Sequence, residues 1–212
     1  NDQLIRCFVD KGENINSENQ EGQTPLLIAS ETGDIEIARY LVSCGANVNH
    51  RNEEDDSPLI LAMENGNLEI ARYLVEHGAD VNHENEEGDT PLFLACENGN
   101  LEIVKLLIEK GAEINYRDES GDTPIQKASR VGLEITKYLV EIGADPNSQN
   151  NFGITPLYNA AVTGNIDIVK FLIENGANVH QQNNQGETAL MRVTKIGHQK
   201  LIRYLSEEEN KV

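Results

Sequence analysis

The chain has 212 residues, contains no tryptophan, and draws only 5% of its residues from the aromatic types. Hydrophobic residues make up 38% of it, which is below the usual fraction for a globular domain. A single large core would therefore be poorly supplied with bulky side chains. The composition instead favours many small cores built from Leu, Ile, Val and Ala.

Cysteine is also scarce. The three cysteines, Cys7, Cys44 and Cys96, form no Cys-x-x-Cys pair, so they indicate neither a disulfide framework nor a zinc site. The sequence has no Asn-x-Ser/Thr signal, no signal peptide and no apolar run long enough to span a membrane. We therefore expect an intracellular protein, cytoplasmic rather than nuclear.

Positive charge is the third deficit. Lys and Arg number 17 against 36 Asp and Glu, which gives a formal net charge of -19. Such a chain repels the phosphates of nucleic acids and anionic lipid surfaces, so we predict that it binds neither. The same charge favours basic partners, although solubility alone explains it equally well.

What the chain does contain is a repeat. Thr24-Pro25-Leu26 recurs with small changes at Ser57, Thr90, Thr123, Thr155 and Thr188, and successive copies are 33, 33, 33, 32 and 33 residues apart. A second marker, Gly-Ala, follows in register at Gly45, Gly78, Gly111, Gly143 and Gly176. Repetition at a fixed period of this length indicates stacked structural units.

The pattern resembles the ankyrin repeat over essentially the whole chain, because that family has a period near 33 and a Thr-Pro-Leu-His-x-Ala signature. The resemblance implies a mainly α-helical solenoid of stacked helix-turn-helix units with hairpin-like loops. We expect one domain over residues 1–212, with a partial copy at 1–18 in which residues 3–11 match a second helix. Six further copies are expected at about 19–51, 52–84, 85–117, 118–149, 150–182 and 183–212.

Each marker has a physical role. Thr or Ser before Pro predicts a helix N-cap followed by proline at the first helical position. A glycine nine residues after each Thr or Ser predicts a left-handed end to the first helix. These glycines are Gly33, Gly66, Gly99, Gly132, Gly164 and Gly197.

The chain departs from the family pattern at three places. The histidine of the signature is absent from every copy, which removes a stabilising hydrogen bond. Asp55 replaces a turn glycine, and we expect it to adopt a positive φ with some strain. The fourth copy lacks one residue between its helices, so we predict a local shift at residues 130–134.

Catalytic and metal-binding patterns are missing from the sequence. The five histidines are scattered among different copies, and the chain has no phosphate-binding loop, no Gly-x-Ser-x-Gly and no His-Glu-x-x-His. His50 and His83 occupy equivalent loop positions, but two ligands do not make a zinc site. We therefore predict no catalytic residue, no metal and no cofactor.

The resemblance implies partner contacts at the loop tips, along the first helices and at the residue after Thr-Pro-Leu. These positions are acidic in the first three full copies and become apolar later. The acidic candidates are Glu53, Glu54, Asp56, Glu64, Glu86, Glu87, Asp89 and Glu97. The later candidates are Arg130 and Val131 in the fourth copy, and Phe152, Ile154, Tyr158 and Val162 in the fifth.

From these residues we predict a two-part groove. A basic segment of a protein partner lies along the acidic half, while an apolar side chain docks on Phe152, Ile154 and Tyr158. The alternative is that Phe152 and Ile154 pack against the fourth or sixth copy and that the acids form a solvated face.

The resemblance also implies a modification. Asn82 and Asn115 match the family's pattern for asparaginyl hydroxylation. The favoured alternative is that these side chains only bond the loop backbone, as asparagine does readily.

The function predicted from the sequence is a monomeric, non-catalytic scaffold for protein–protein interaction. Two alternatives remain open. The chain is the substrate-recruiting arm of a larger enzyme whose catalytic part lies elsewhere, or it is a passive spacer without a ligand in its groove. Fold alone does not decide among them.

Overall fold

The computed structural model describes residues 14–211, so the predicted helix at residues 3–11 lies outside the described part. Twelve α-helices and no strand occur in residues 14–211, and the helices follow one another as six pairs. The first three pairs are α1 (Pro25–Thr32) with α2 (Ile35–Ser43), α3 (Pro58–Glu64) with α4 (Leu68–Glu76), and α5 (Pro91–Glu97) with α6 (Leu101–Glu109). The last three are α7 (Pro124–Val131) with α8 (Leu133–Glu141), α9 (Pro156–Val162) with α10 (Ile166–Glu174), and α11 (Ala189–Ile196) with α12 (Gln199–Glu209).

The first helix of each pair begins at the predicted cap. The Thr24 hydroxyl oxygen accepts a hydrogen bond from the Leu27 amide at 3.4 Å, and Ser57 does the same for Ile60 at 3.2 Å. At α7 the arrangement differs, because the side-chain oxygen of Gln126 accepts from both the amide and the hydroxyl of Thr123. Gln126 replaces the signature histidine there, and it supplies the local bond.

Glycine ends most first helices in the left-handed region, as predicted, but Gly132 does not. Gly33, Gly164 and Gly197 have φ values of 82°, 80° and 89°, whereas Gly132 has φ -154° and ψ 137°. The missing residue is the reason. Gly132 alone links α7 to α8, so its amide closes α7 on the Ala128 carbonyl while its own carbonyl accepts from Thr136 at the start of α8. The sequence shortening therefore removes the left-handed turn at this joint.

The helix pairs stack, and the contacts between residues cluster into two compact units. The first unit comprises residues up to Ala95 together with Glu102–Ala112, and the second comprises Cys96–Leu101 and the residues from Glu113 onward. In the first unit α1 packs on α3 and α2 on α4; in the second, α9 packs on α7 and α11, and α10 packs on α8. This pairwise stacking is that of a helical solenoid. The single domain remains a prediction.

The residue after Thr-Pro-Leu lies in the core in four copies. Leu27, Ile60, Phe93 and Gln126 are completely buried, so the expectation that this position contacts a partner is wrong for them. In three of these copies an apolar side chain stands where the signature has histidine, and in the fourth the polar Gln126 does. Only Tyr158, which is half-buried, and Met191, which is 49% exposed, reach the surface at this position.

Two glycine substitutions separate the effect of backbone conformation from that of packing. Neither Gly132 nor Gly197 has an atom within 4 Å of where a Cβ would lie, and they differ in φ. We expect Gly132→Ala to leave the free energy of unfolding unchanged or to raise it by at most about 1 kcal/mol. We expect Gly197→Ala to lower it by about 1–2 kcal/mol, because it forces a side chain into the left-handed region. Urea unfolding measures both, and equal losses would contradict the role given to Gly132.

Candidate partner-binding surfaces

Each hairpin-like loop is closed by one carboxamide or carboxylate side chain. The Asn150 side-chain oxygen accepts hydrogen bonds from the amides of Phe152 at 3.0 Å and Ile154 at 2.9 Å. Its amide group donates to Asp122 of the preceding loop at 2.7 Å. Equivalent residues accept loop amides in the other copies: Asn19, Asn52, Asn85, Asp118 and Asn183. The sequence analysis missed this feature, although an Asn or Asp stands five residues before every capping Thr or Ser.

Backbone hydrogen bonds join successive loops. The Glu86 amide donates to the Glu54 carbonyl at 3.3 Å in the first unit, and the Asn184 amide donates to the Phe152 carbonyl at 3.0 Å in the second. Asp55 has φ 59°, which confirms the positive φ predicted for it at the turn. Each loop backbone is thereby fixed, and the tip side chains project from a rigid frame.

The acidic loops of the first unit are mostly available to solvent. Glu53, Glu54, Glu64, Glu86 and Glu87 are all exposed. A surface of this kind raises the association rate of basic partners.

Asp56 is a correction to the predicted acidic surface. It is 7% exposed, and its carboxylate accepts hydrogen bonds from the side chains of Asn85 at 2.9 Å and Asn52 at 3.4 Å. The carboxylate thus joins two successive loops through hydrogen bonds, and it is too buried to contact a partner. Asp89 is half-buried, and Glu97 belongs to the second unit.

The carboxyl of Glu64 sits among other acids. Although the residue as a whole is exposed, desolvation of its carboxyl by the surrounding protein, followed by the charges of Asp56, Glu87, Asp89 and Glu54, raises its pKa from 4.5 to about 7. Near neutral pH this group is therefore only partly ionised. The neighbouring carboxylates repel its negative charge and so disfavour the ionised form.

The second unit carries a groove that we define by Phe152, Ile154, Tyr158 and Arg192. These four residues line both of two adjoining cavities, of about 550 and 350 Å³. Phe152 is 61% exposed, while Ile154 and Tyr158 are half-buried. Val162 also lines the larger cavity, but Val131, although 46% exposed, lines neither. The structure thus brings together four of the predicted apolar residues and leaves Val131 apart.

Most charges around this groove are paired. Arg130 contacts Asp122 at 3.1 Å, so its predicted role as a contact residue is weakened by a partner within the chain. Lys127 contacts Glu97 at 3.0 Å and Asp118 at 3.6 Å, and these carboxylates raise the pKa of Lys127 although burial opposes them. Lys127 is a groove residue that the sequence analysis missed, since its spacing carries no signal of the cavity.

Tyr158 is oriented by the loop of the following repeat. Its hydroxyl donates to Glu187 at 3.2 Å, and Glu187 also pairs with Lys195. Burial first, and then this carboxylate, raise the pKa of Tyr158, which keeps the phenol protonated as a donor. The ring is therefore fixed as one wall of the groove.

The two asparagines proposed for hydroxylation differ in their contacts. Asn82 donates to the Gly111 carbonyl at 3.0 Å, and Asn49 and Asn147 make the same bond to Gly78 and Gly176. This supports the alternative in which the side chain bonds the loop backbone. Asn115 is exposed and makes no such bond among the described residues. Hydroxylation remains a prediction for both.

The described part of the chain offers neither a metal-binding cluster nor a membrane-spanning helix. Over residues 14–211, no group of three or more His, Cys, Asp or Glu side chains is arranged to hold a metal ion. No helix in that same part of the chain is both long and apolar enough to cross a bilayer.

Stacked helix pairs, capped by Thr-Pro and joined by hairpin-like loops, define a helical repeat protein. A family model described as ankyrin repeats (3 copies) matches the chain over residues 1–85, 78–150 and 127–212. The chain therefore belongs to the ankyrin repeat family. No curated protein matches the sequence. Repeats of this family are generally protein–protein interaction modules and typically act as non-catalytic scaffolds.

Replacing the loop-closing residue tests how the groove is held. Asn150→Ala removes the acceptor for two amides and the donor to Asp122, so we expect the free energy of unfolding to fall by about 1–3 kcal/mol. Asn150→Asp keeps the two acceptor bonds but places a second carboxylate beside Asp122. We expect Asn150→Asp to have a lower free energy of unfolding than the wild type at neutral pH. The difference should shrink at low pH, and urea unfolding measures it at both pH values. A stable Asn150→Ala variant would contradict the closing role.

The raised pKa of Glu64 predicts a pH-dependent stability. A raised native pKa contributes stability that is present below the unfolded value of 4.5 and is lost as the pH rises through about 7. We expect Glu64→Gln to raise Tm by roughly 2–4 °C at pH 8, about the effect of 1 kcal/mol in a chain of this size, after screening by solvent. The gain should vanish near pH 4.

Thermal unfolding monitored by circular dichroism checks this expectation. Glu119→Gln, which removes an exposed loop carboxylate of the second unit, is the matched control and should change Tm little at either pH. Equal gains for Glu64→Gln at pH 4 and pH 8 would rule out an electrostatic cause.

Proposed function

We propose that the chain is a non-catalytic protein-binding module and that the groove of the second unit takes an apolar side chain of a protein partner. The observation that carries the proposal is the display of Phe152. Its amide is held by Asn150 and its carbonyl by Asn184, yet its ring is 61% exposed above two cavities. An aromatic ring on a fixed backbone binds without the cost of ordering the backbone, which is a property of an interface anchor.

The exposed acids of the first unit support a second element of the proposal. Glu53, Glu54, Glu86 and Glu87 attract basic segments of a partner and reject acidic ones. Exposed charges act mainly on the association rate, and salt screens them over about 10 Å at 0.1 M. An intracellular, cytoplasmic location and a monomeric state remain predictions from the sequence.

Selection from a displayed peptide library on the immobilised chain tests the groove. We expect the selected peptides to bind Phe152→Ala at least about tenfold more weakly, since an interface anchor contributes 2 kcal/mol or more. Ile28→Ala is the matched control, because Ile28 is an exposed apolar residue of the first unit. The proposal fails if the selected peptides bind both variants as well as the wild type.

A salt series on the same peptides tests the acidic surface. Raising the ionic strength should slow association of any basic peptide while leaving its dissociation rate nearly unchanged. Glu53→Gln with Glu54→Gln should reproduce that slowing at low salt. Surface plasmon resonance separates the two rates, and a salt-insensitive association rate would argue against steering by these carboxylates.

A further inference from the structure

Arg192 of α11 carries a donor in the second unit that no acceptor satisfies. Its Nε is buried and has no hydrogen-bond partner among the described residues. A buried donor left without an acceptor destabilises the fold, because it has lost its bonds to water and gained none in exchange. Arg192 and Phe152 line both cavities of the groove, so the unsatisfied donor lies on a side chain of the same groove as the exposed aromatic residue.

The nearby carboxylates are already engaged. Glu187 accepts from Lys195 and from the Tyr158 hydroxyl, and Asp122 accepts from Arg130 and Asn150. Arg192 lies near enough to contribute, after Lys195 and the Tyr158 hydroxyl, to the lowered pKa of Glu187. In a chain of net charge -19, the groove therefore contains an arginine whose Nε donates to none of the neighbouring acids.

We propose that Arg192 binds a carboxylate of the partner, supplied by an Asp or Glu side chain close to the apolar residue that docks on Phe152. The guanidinium presents parallel donors that match a carboxylate in a bidentate pair, and such pairs are among the strongest hydrogen bonds in proteins. This inference rests on the proposed function of the groove. It adds the chemical class of the group bound beside the apolar anchor.

The extent of the cavities favours a carboxylate on a side chain of a longer segment. The lining runs from Asp118 in one loop to Gln185 two loops further on, which gives room for an extended segment of the partner. Because Phe152 and Arg192 share both cavities, the apolar and acidic side chains of that segment are close neighbours. At this groove the partner segment thus carries an acidic side chain beside the apolar one, whereas the basic segment predicted from the sequence lies along the acidic half.

The test is a parallel selection of one random-peptide library on three immobilised chains: wild type, Phe152→Ala and Arg192→Gln. On the wild type we expect an apolar residue with Asp or Glu at a fixed short distance from it. On Arg192→Gln the acidic preference should disappear while the apolar preference stays. Arg203→Gln, which removes an exposed arginine of α12, controls for the change in net charge and should keep both preferences.

Binding of one selected peptide completes the test. Replacing its acidic residue by the matching amide should weaken binding to the wild type about tenfold and to Arg192→Gln less than twofold. Arg192→Glu should prefer a version with lysine at that position, a reversal that a merely structural role does not produce. Circular dichroism should show Arg192→Gln folded with an unchanged or higher Tm, since the variant removes a buried unsatisfied donor.

The outcomes separate the two proposals. Binders that need Phe152 but show no acidic preference, or that are indifferent to Arg192→Gln, overturn this inference and leave the proposed function standing. The absence of any binder that depends on Phe152 overturns the proposed function and this inference with it.

Discussion

The hydrogen bonds that close each loop are the constraint on which the surfaces of this protein depend. One Asn or Asp side chain accepts the amides of the residues two and four positions later, and in Asn85 and Asn150 the backbone amide also donates to the carbonyl four positions later. In two loops the same side chain also reaches an aspartate of the preceding loop, as Asn85 and Asn150 do. A buried side chain that satisfies three backbone or side-chain groups is expensive to lose. The rigid display of Phe152 and the stacking of the loops both follow from it.

Much of the fold could be predicted from the sequence because its determinants are local. A Thr-Pro pair caps a helix wherever it stands, and a glycine after a helix turns left-handed unless the chain lacks room for the turn. Gly132 shows that limit. The deletion beside it was visible in the sequence, but its φ depends on the fact that one residue both ends α7 and begins α8. Asp55 was predicted correctly because only its own backbone is involved.

The site was harder to predict because its properties arise between repeats. The pattern places Asp56 and Glu54 at similar loop positions, yet one is buried against Asn85 and the other is exposed. The stacked loops also decide which acids lie near each arginine. Asp122 lies within reach of Arg130, whereas no acceptor lies within reach of the Arg192 Nε. Residue type and spacing indicate where a surface lies. Which of its side chains can bind a partner depends on which of them already form hydrogen bonds within the chain.

The loop closure also separates two roles within one residue, since the backbone amide holds the loop while the side chain is left to contact a partner. At the tip position two residues after the closing Asn, the chain carries Glu54, Glu87, Phe152 and Gln185 in different repeats, and in all four the backbone amide alone makes the bond. The closing bond therefore does not depend on the side chain at that position, although the Glu54 carboxylate also accepts from the Asn52 side chain at 3.4 Å. Substitution there is free to track a changing partner while the scaffold stays constant, so the six tips form a set of interchangeable modules on which specificity can evolve one repeat at a time.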